Sequence, residues 1–284
     1  MTKYFILLLV CFLNVKAENI FFSFGLDKQI SKNKFLETLT QNKYILLGEQ
    51  HDNGFHHEAK IEIFEYFKDK NITIATEHLD FEKEIVWQNE SEKALFNADF
   101  DFKGWQWPIH KPLYDWLSQN KIHVVGANLN NKHLKAIIQN DNFDNFQKLI
   151  DKFALENNEE EILENELIQN HCGFIKKSQT STLKKMQLSK DIMMAKTVMK
   201  FKNDNIFLIA GNNHIRKDFA IPRIFEKSGI KKFLVVGFFG KNEFEHNKQN
   251  LSKNFDFAVV TEDVEVVDYC KNLKLENFQK FKPN

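Results

Sequence analysis

The sequence lacks an excess of charge, a flexible linker and an internal repeat. Its 39 basic and 39 acidic residues cancel, so there is no global basic field that would favour nucleic acid as a partner. The absence of a Gly/Ser-rich linker and of a fixed-period repeat favours one domain over a string of small units. With 43% hydrophobic residues, the chain is typical of a globular protein with a sizeable core.

The common catalytic signatures are also missing. The chain has no His-Glu-x-x-His, no phosphate-binding glycine loop, no Gly-x-Gly-x-x-Gly, no Gly-x-Ser-x-Gly and no Cys-x-x-Cys-His. Covalent catalysis therefore has little support. Beyond the first 17 residues the chain has two cysteines, Cys172 and Cys270, which are too few for a disulfide framework. Their spacing leaves open whether they pair or remain buried thiols.

Residues 1–17 are typical of a secretory signal. Lys3 precedes an unbroken apolar run, and Val15-Lys16-Ala17 resembles a signal-peptidase cleavage site. The apolar run is too short to span a bilayer, so we expect an exported protein that begins near Glu18. Leu-Leu-Val-Cys around Cys11 also resembles a lipobox, which leaves lipid anchoring at Cys11 as the alternative.

A dense polar cluster follows the apolar stretch at residues 44–47. Glu49, His51, Asp52, His56 and His57 come directly after Gly48 and before an amphipathic helical pattern. Such a cluster at the carboxyl end of a strand is placed where α/β sheets bind ligands. Asp52 or Asn53 could instead serve only as a helix cap.

The remaining pattern predicts an α/β fold with a mainly parallel central sheet flanked by helices. Buried strands are predicted at residues 71–76, 121–127, 205–210, 232–238 and 257–260, and residues 81–99 are predicted to be helical. Residues 132–202 read as a mostly helical insertion or cap within a single domain of residues 18–284. The strand–helix–strand unit near the start should make its two strands parallel.

Three predicted strands end in chemically active residues. Glu49 and His51 follow the first, Glu77 follows the second, and His214 follows Gly211 after a later strand. Two imidazoles and two carboxylates could form a divalent metal site or act as base and acid. We expect these four side chains to converge in one cleft at the carboxyl edge of the sheet, with His56 close by.

Residues 105–116 are rich in tryptophan and contain His110, Lys111 and Tyr114. Such a segment can be a hydrophobic latch, and it can equally be the face that receives a flat apolar ligand. Pro112 suits the first turn of a helix that ends near Gln119.

Taken in order, these motifs resemble the ChaN-type haem-binding uptake proteins, a family grouped with the Tiki and TraB proteins and the erythromycin esterases. The residues that carry the resemblance are Leu46-Leu47-Gly48-Glu49-Gln50-His51-Asp52-Asn53 with His56 and His57, Glu77, Trp107-Pro108, Asn128, Lys190-Asp191-x-Met-Met-Ala, and Gly211-Asn212-Asn213-His214-Ile-Arg.

The resemblance implies an exported, periplasmic or envelope-bound protein that binds haem during iron uptake. It implies noncovalent haem between two subunits of a homodimer, and an outer-membrane haem receptor as a partner. The family's tyrosine ligand is replaced here by His110, with Tyr114 one helical turn later, so both are candidate axial ligands; Lys111 is the candidate partner of a propionate. Superfamily relatives also imply a metal-dependent hydrolase as the alternative, with Glu49, His51, His56, Glu77 and His214 as candidate metal ligands.

Overall fold

An eight-stranded sheet forms the centre of the structure, a computed structural model that describes residues 18–140, 145–202, 205–265 and 269–272. The predicted signal segment, with the candidate lipidation site Cys11, lies outside the described residues. The strands are β1 (Ile20–Ser23), β2 (Lys28–Ile30), β3 (Tyr44–Leu47), β4 (Ile72–Asp80), β5 (His123–Asn128), β6 (Asn205–Ile209), β7 (Phe233–Gly240) and β8 (Phe257–Thr261).

Helices cover both faces of this sheet. They are α1 (Lys32–Thr40), α2 (Gly54–Phe67), α3 (Ser91–Asn97), α4 (Lys111–Gln119), α5 (Asn131–Ile138), α6 (Phe146–Lys152), α7 (Asn157–Asn170), α8 (Thr180–Met199), α9 (Ile221–Lys227), α10 (Lys241–Asn254) and α11 (Tyr269–Asn272). Side chains of neighbouring strand residues point to opposite faces. Ile45 and Leu47 accordingly belong to one buried cluster, and Leu46 belongs to the other.

The strand order is β2-β1-β8-β7-β3-β6-β4-β5, and the six strands from β8 to β5 run parallel. The predicted mainly parallel α/β sheet is therefore confirmed. The first strand–helix–strand unit, β3-α2-β4, is parallel as predicted, but β6 lies between its two strands. Residues 132–202 are mostly helical where the structure describes them.

One local prediction is wrong, and one region was not predicted. The helix predicted over residues 81–99 is limited to α3 (Ser91–Asn97), because residues 83–85 instead run beside β5. The stretch before β3, for which no element was predicted, contains β1, β2 and α1. β1 pairs antiparallel with β8, which lies far along the chain. The sequence pattern around β1 therefore did not indicate this pairing.

The edges of the sheet are short or covered. At one edge, the backbone of residues 83–85 pairs with β5, through Gly126 N–H to Lys83 O at 2.8 Å and Ile85 N–H to Val124 O at 3.0 Å. At the other edge, β2 is three residues long. Little unpaired strand backbone is therefore exposed at either edge.

Cys172 and Cys270 form a disulfide, with their Cα atoms 5.7 Å apart. The sequence had left this pairing open. The bond joins the turn after α7 to α11. In the part of the chain that the structure describes, no helix combines the length and apolar character needed to cross a membrane.

Candidate functional site

The candidate site lies at the carboxyl ends of β3, β6 and β4, which are neighbours in that order. Glu49 and His51 follow β3, Glu77 lies within β4, and His214 follows β6. The loops after β3 and β6 approach closely at Gly48, where an added Cβ would lie 1.9 Å from Asn212 Oδ1. A residue without a side chain is therefore required at this contact.

Glu49 is the centre of the buried half of the cluster. Its Oε1 accepts hydrogen bonds from His51 Nδ1 at 2.9 Å and His78 Nε2 at 2.7 Å, and its Oε2 lies 2.9 Å from Lys60 Nζ. Burial alone would raise the pKa of Glu49, but the charge of Lys60 and the imidazoles of His78, His57 and His51 lower it well below its usual range. Glu49 is therefore a carboxylate whose charge is balanced inside the core by a fully buried lysine.

Lys60 lies on α2, whose face toward the sheet is otherwise mostly apolar. Its ammonium group also lies 4.4 Å from the ring centroid of Phe238. Burial lowers the pKa of Lys60, and the adjacent charge of Glu49 opposes that shift. A lysine on the apolar face of a predicted helix was the signal that sequence analysis missed.

His57 and His110 pack together in the same buried region, with ring centroids 4.0 Å apart. His57 Nε2 lies 3.2 Å from the carbonyl oxygen of His51, so this nitrogen carries the proton. Burial lowers the pKa of His57 to about 4. Its Nδ1 is therefore unprotonated and lies 3.5 Å from Glu49 Oε2. The ammonium group of Lys60 lies beside the same Glu49 oxygen.

Glu77 is the centre of the second half of the cluster, which faces a cleft. Its Oε1 lies 3.2 Å from His214 Nε2, and its Oε2 accepts the Gly211 N–H at 2.9 Å and lies 3.7 Å from His51 Nε2. His214 Nδ1 lies 2.5 Å from Asp191 Oδ1. Burial opposes the charge of His214, but the two carboxylates outweigh it and raise its pKa to about 9.

The cleft has a volume of about 1150 Å³ and lies between the carboxyl edge of the sheet, α7 and α10. His51, Gly211, His214 and Arg216 line it from the sheet side, and Ile162, Glu166, Gln169 and Asn170 line it from α7. The His51 side chain is 38% exposed, whereas that of Glu49 is fully buried. His51 therefore connects the buried half of the cluster to the cleft.

The structure brings together Glu49, His51, Glu77 and His214, the four residues that the sequence placed at the ends of three strands. His56, the fifth candidate ligand, is buried, and its Nδ1 accepts the backbone N–H of Gln50 at 3.0 Å. Sequence analysis did not assign roles to His57, His78 or Asp191. His57 and Asp191 are part of the quoted motifs and His78 directly follows Glu77, and this was the available signal.

The candidate haem-binding residues occupy different environments. His110 is 0% exposed and Tyr114 is 1% exposed. Both lie beneath the aromatic loop of residues 100–109, and Tyr114 Oη lies 2.9 Å from His78 Nδ1. Burial raises the pKa of Tyr114, which favours the protonated phenol. Lys111 is exposed, and its ammonium group lies 2.5 Å from Asp115 Oδ2.

Two overlapping groups in the cluster have the donors for a divalent metal ion. Glu49, His51 and His78 form one and Glu49, His57 and His110 the other, and in each group one ligand atom per residue lies within 4.8 Å of the others. In the present arrangement Lys60 balances the charge of Glu49 and His214 contacts Glu77. The two buried carboxylates thus have cationic partners within the protein itself.

A comparison with known protein families matches the part of the chain that contains these site residues. The profile of the family described as haem-binding uptake, Tiki superfamily, ChaN, matches residues 35–225. The structure of ChaN of Campylobacter jejuni with cofacially bound haem is similar, with a TM-score of 0.69 and 18% identity over 88% of this chain and 98% of that one. The erythromycin esterase EreC, in its open conformation, has a TM-score of 0.46 and 11% identity over 86% and 98% of the two chains. No curated protein matches the chain.

Proposed function

Because the chain belongs to the ChaN family of haem-binding uptake proteins in the Tiki superfamily, we propose that it binds haem noncovalently and serves haem-iron uptake. The observation that carries this proposal is the extent of the family match. Residues 35–225 include the Glu/His cluster, the aromatic loop and helix α4. Both the polar and the apolar parts of the candidate site therefore lie within the family's own sequence.

Three side chains are candidate donors to haem iron. His51 already faces the cleft, and its Nδ1–H donates to Glu49 at 2.9 Å, an arrangement that orients Nε2 as a ligand. His110 and Tyr114 can reach haem only if the aromatic loop moves away from them, since they are 0% and 1% exposed. Trp105, half-buried and 4.9 Å from the His51 ring, offers an apolar surface beside the first donor.

A haemin titration followed by absorbance tests the proposal. We expect saturable binding by the wild-type protein. We also expect a changed Soret band or weaker binding for at least one of His51→Ala, His110→Ala and Tyr114→Phe. His123→Ala is the matched control, because His123 has the same 38% side-chain exposure as His51 and pairs with Glu84 away from the cleft. Lack of saturable binding by wild type would refute haem binding, whereas three variants with wild-type spectra would refute only the choice of donors.

Export to the cell envelope is part of the proposal. It is supported by the signal-like residues 1–17 and by the Cys172–Cys270 disulfide, because disulfides persist mainly in oxidising compartments. Mass spectrometry of the native protein should give an amino terminus near Glu18, or an acylated Cys11 if the protein is a lipoprotein. An intact Met1 on a cytoplasmic protein with free thiols would contradict export.

Assembly is the remaining part of the proposal. Bound haem with one exposed face favours a homodimer that covers it, since large apolar patches on monomers are uncommon. Sedimentation velocity with and without haemin should therefore show a dimer that depends on haem. An outer-membrane haem receptor is the proposed partner, and pull-down with the haem-loaded and haem-free protein tests whether haem controls that contact.

Hydrolysis in the cleft is the second candidate function. The observation that favours it is the pairing of His51 with Glu49 at 2.9 Å, with the second ring nitrogen facing a cleft of about 1150 Å³. A histidine oriented by a carboxylate can remove a proton from water or a hydroxyl group. Turnover of an ester panel by wild type, abolished in His51→Ala and retained in His123→Ala, would support this function; absence of turnover would remove it.

A further inference from the structure

A second group of potential metal ligands lies at the carboxyl end of β4, outside the cluster described above. It consists of Asp80, Glu82 and His133, the last in the first turn of α5. One oxygen of each carboxylate and one ring nitrogen of His133 lie within 4.8 Å of one another. The individual contacts are 3.6 Å from Asp80 Oδ1 to His133 Nδ1 and 4.0 Å from Glu82 Oε1 to His133 Nε2.

These separations suit ligands around a metal better than direct hydrogen bonds. Both exceed the usual limit for a charge-assisted hydrogen bond, about 3 Å. Bonds of about 2.0–2.2 Å to a shared ion place neighbouring ligand atoms about 3–3.5 Å apart. The two contacts involve different ring nitrogens of His133, and a single ion binds only one of them. One nitrogen and one oxygen of each carboxylate lie within 4.8 Å of one another, and rotation of Glu82, with a side chain that is 58% exposed, would bring the three donors to that spacing.

The carboxylates of this group have few partners in the described part of the chain. There, Asp80 Oδ1 is buried without a hydrogen-bond partner, while Asp80 Oδ2 accepts a hydrogen bond from Asn130. Among the described residues, no lysine or arginine forms an ion pair with either carboxylate, and the ammonium of neighbouring Lys83 contacts Asp99 instead at 2.5 Å.

The backbone around the group is held in place by hydrogen bonds. Asn130 caps α5 by accepting the His133 N–H at 2.9 Å, and the same side chain donates to Asp80. Phe81, between the two acidic residues, donates its N–H to Asn128 O at 2.8 Å. One amide side chain thus fixes two candidate ligands relative to each other, which is the kind of support that metal ligands receive in proteins.

We propose that Asp80, Glu82 and His133 bind one divalent transition-metal ion of the Zn²⁺ class, with water completing its coordination. Carboxylate oxygens and imidazole nitrogens are both ligands for such ions. The ion would neutralise two acidic side chains and give the buried Asp80 Oδ1 a partner. This site is separate from Glu49 and Glu77, whose charges are balanced by Lys60 and His214.

Metal titration of the full-length, haem-free protein tests the proposal. Zn²⁺ is titrated in competition with a chromophoric chelator, and Co²⁺ is added separately to record its visible absorption bands. We expect one bound ion in wild type, and affinity reduced by at least about 10-fold in Asp80→Asn, Glu82→Gln and His133→Gln. Glu82→Gln is the variant least able to disturb folding, since its side chain is 58% exposed.

Two control variants locate the ion. His123→Gln alters the pair of His123 Nε2 and Glu84 Oε1, 3.0 Å apart, which has an imidazole and a carboxylate but no third donor. His51→Ala alters the main cluster. Both controls should keep wild-type affinity. The proposal is overturned if wild type binds no ion, if Glu82→Gln and His133→Gln bind as tightly as wild type, or if His51→Ala abolishes binding.

Discussion

Glu49 and Glu77 are two buried carboxylates at the same edge of one sheet, and each has its charge balanced in a different way. Glu49 contacts the ammonium of Lys60 at 2.9 Å, and both side chains are fully buried. Glu77 contacts the imidazole of His214 at 3.2 Å beside the open cleft. The positive charge next to Glu49 is a lysine buried away from the cleft, whereas that next to Glu77 is an imidazolium whose pKa the neighbouring carboxylates raise to about 9.

The difference separates a structural half of the site from a half that can respond to its surroundings. Lys60 holds Glu49 ionised, so that its Oε1 accepts bonds from His51 and His78 at 2.9 and 2.7 Å. His214, which contacts both Glu77 and Asp191, loses its charge only as the pH rises through about 9. His51 contacts both carboxylates, so its position depends on both halves.

The largest effect on stability is expected from removing the buried lysine, Lys60. Lys60→Met should lower the free energy of unfolding by about 3–5 kcal/mol, because it leaves Glu49 charged in the core without a cation. Urea unfolding measures the loss. The double variant Lys60→Met/Glu49→Gln should recover part of it, and a loss under about 1 kcal/mol in the single variant would mean that Glu49 does not need this partner.

The pH dependence of stability tests the contact between His214 and Glu77. The pKa of His214 is raised from 6.5 to about 9, so its contribution is complete below pH 6.5 and is lost as the pH rises through 9. At about 1.4 kcal/mol per pKa unit the pH-dependent part is about 3 kcal/mol. Urea unfolding from pH 6 to 10 should show this decline in wild type and a flatter profile in His214→Gln. Equal slopes in the two proteins would contradict the assignment.

A methyl group at Gly211 tests how firmly the cleft half is packed. An added Cβ would lie 2.9 Å from His51 Nε2 and 3.7 Å from Glu77 Oε2. Since His51 is partly exposed and can shift, we expect Gly211→Ala to cost about 1–2 kcal/mol and to move the imidazole NMR signals of His51. Unchanged His51 signals would show that the ring is not held against Gly211.

The smallest effect is expected from a second lysine, on the exposed side of Glu77. Lys190 Nζ lies 3.9 Å from Glu77 Oε1, and the Lys190 side chain is 26% exposed. Lys190→Ala should therefore cost less than about 1 kcal/mol, as other solvent-screened pairs do. This variant is the matched control for Lys60→Met in the same unfolding assay, and a comparable loss would remove the distinction between the two halves.

The fold was predictable where the pattern was local. Short apolar runs that ended in polar clusters identified β3, β4 and β6, and the parallel rule then brought Glu49, Glu77 and His214 to one edge of the sheet. β1 pairs with β8, more than 200 residues away, and β2 has no buried residue. For β1 the pairing partner, and for β2 the degree of burial, cannot be predicted from the residues of the strand alone.

The site was predictable as a set of residues but not as an arrangement of charges. Sequence analysis selected both carboxylates but overlooked Lys60 and Asp191, because a lysine or an aspartate in a helical pattern is usually solvated. It left residues 105–116 as either a hydrophobic latch or a ligand face. In the structure His110 lies behind the aromatic loop at 0% exposure, and spacing along the chain does not encode this tertiary packing.

The edges of the sheet limit how copies of this protein can associate. Growth by strand addition needs unpaired backbone along several residues. β5 is already paired on its outer side by residues 83–85, and β2 offers only three residues, about 10 Å of strand. In the described part of the chain, strand addition to the sheet is therefore restricted at both ends. We expect two copies that pair to meet through side chains on the helical faces or around the cleft.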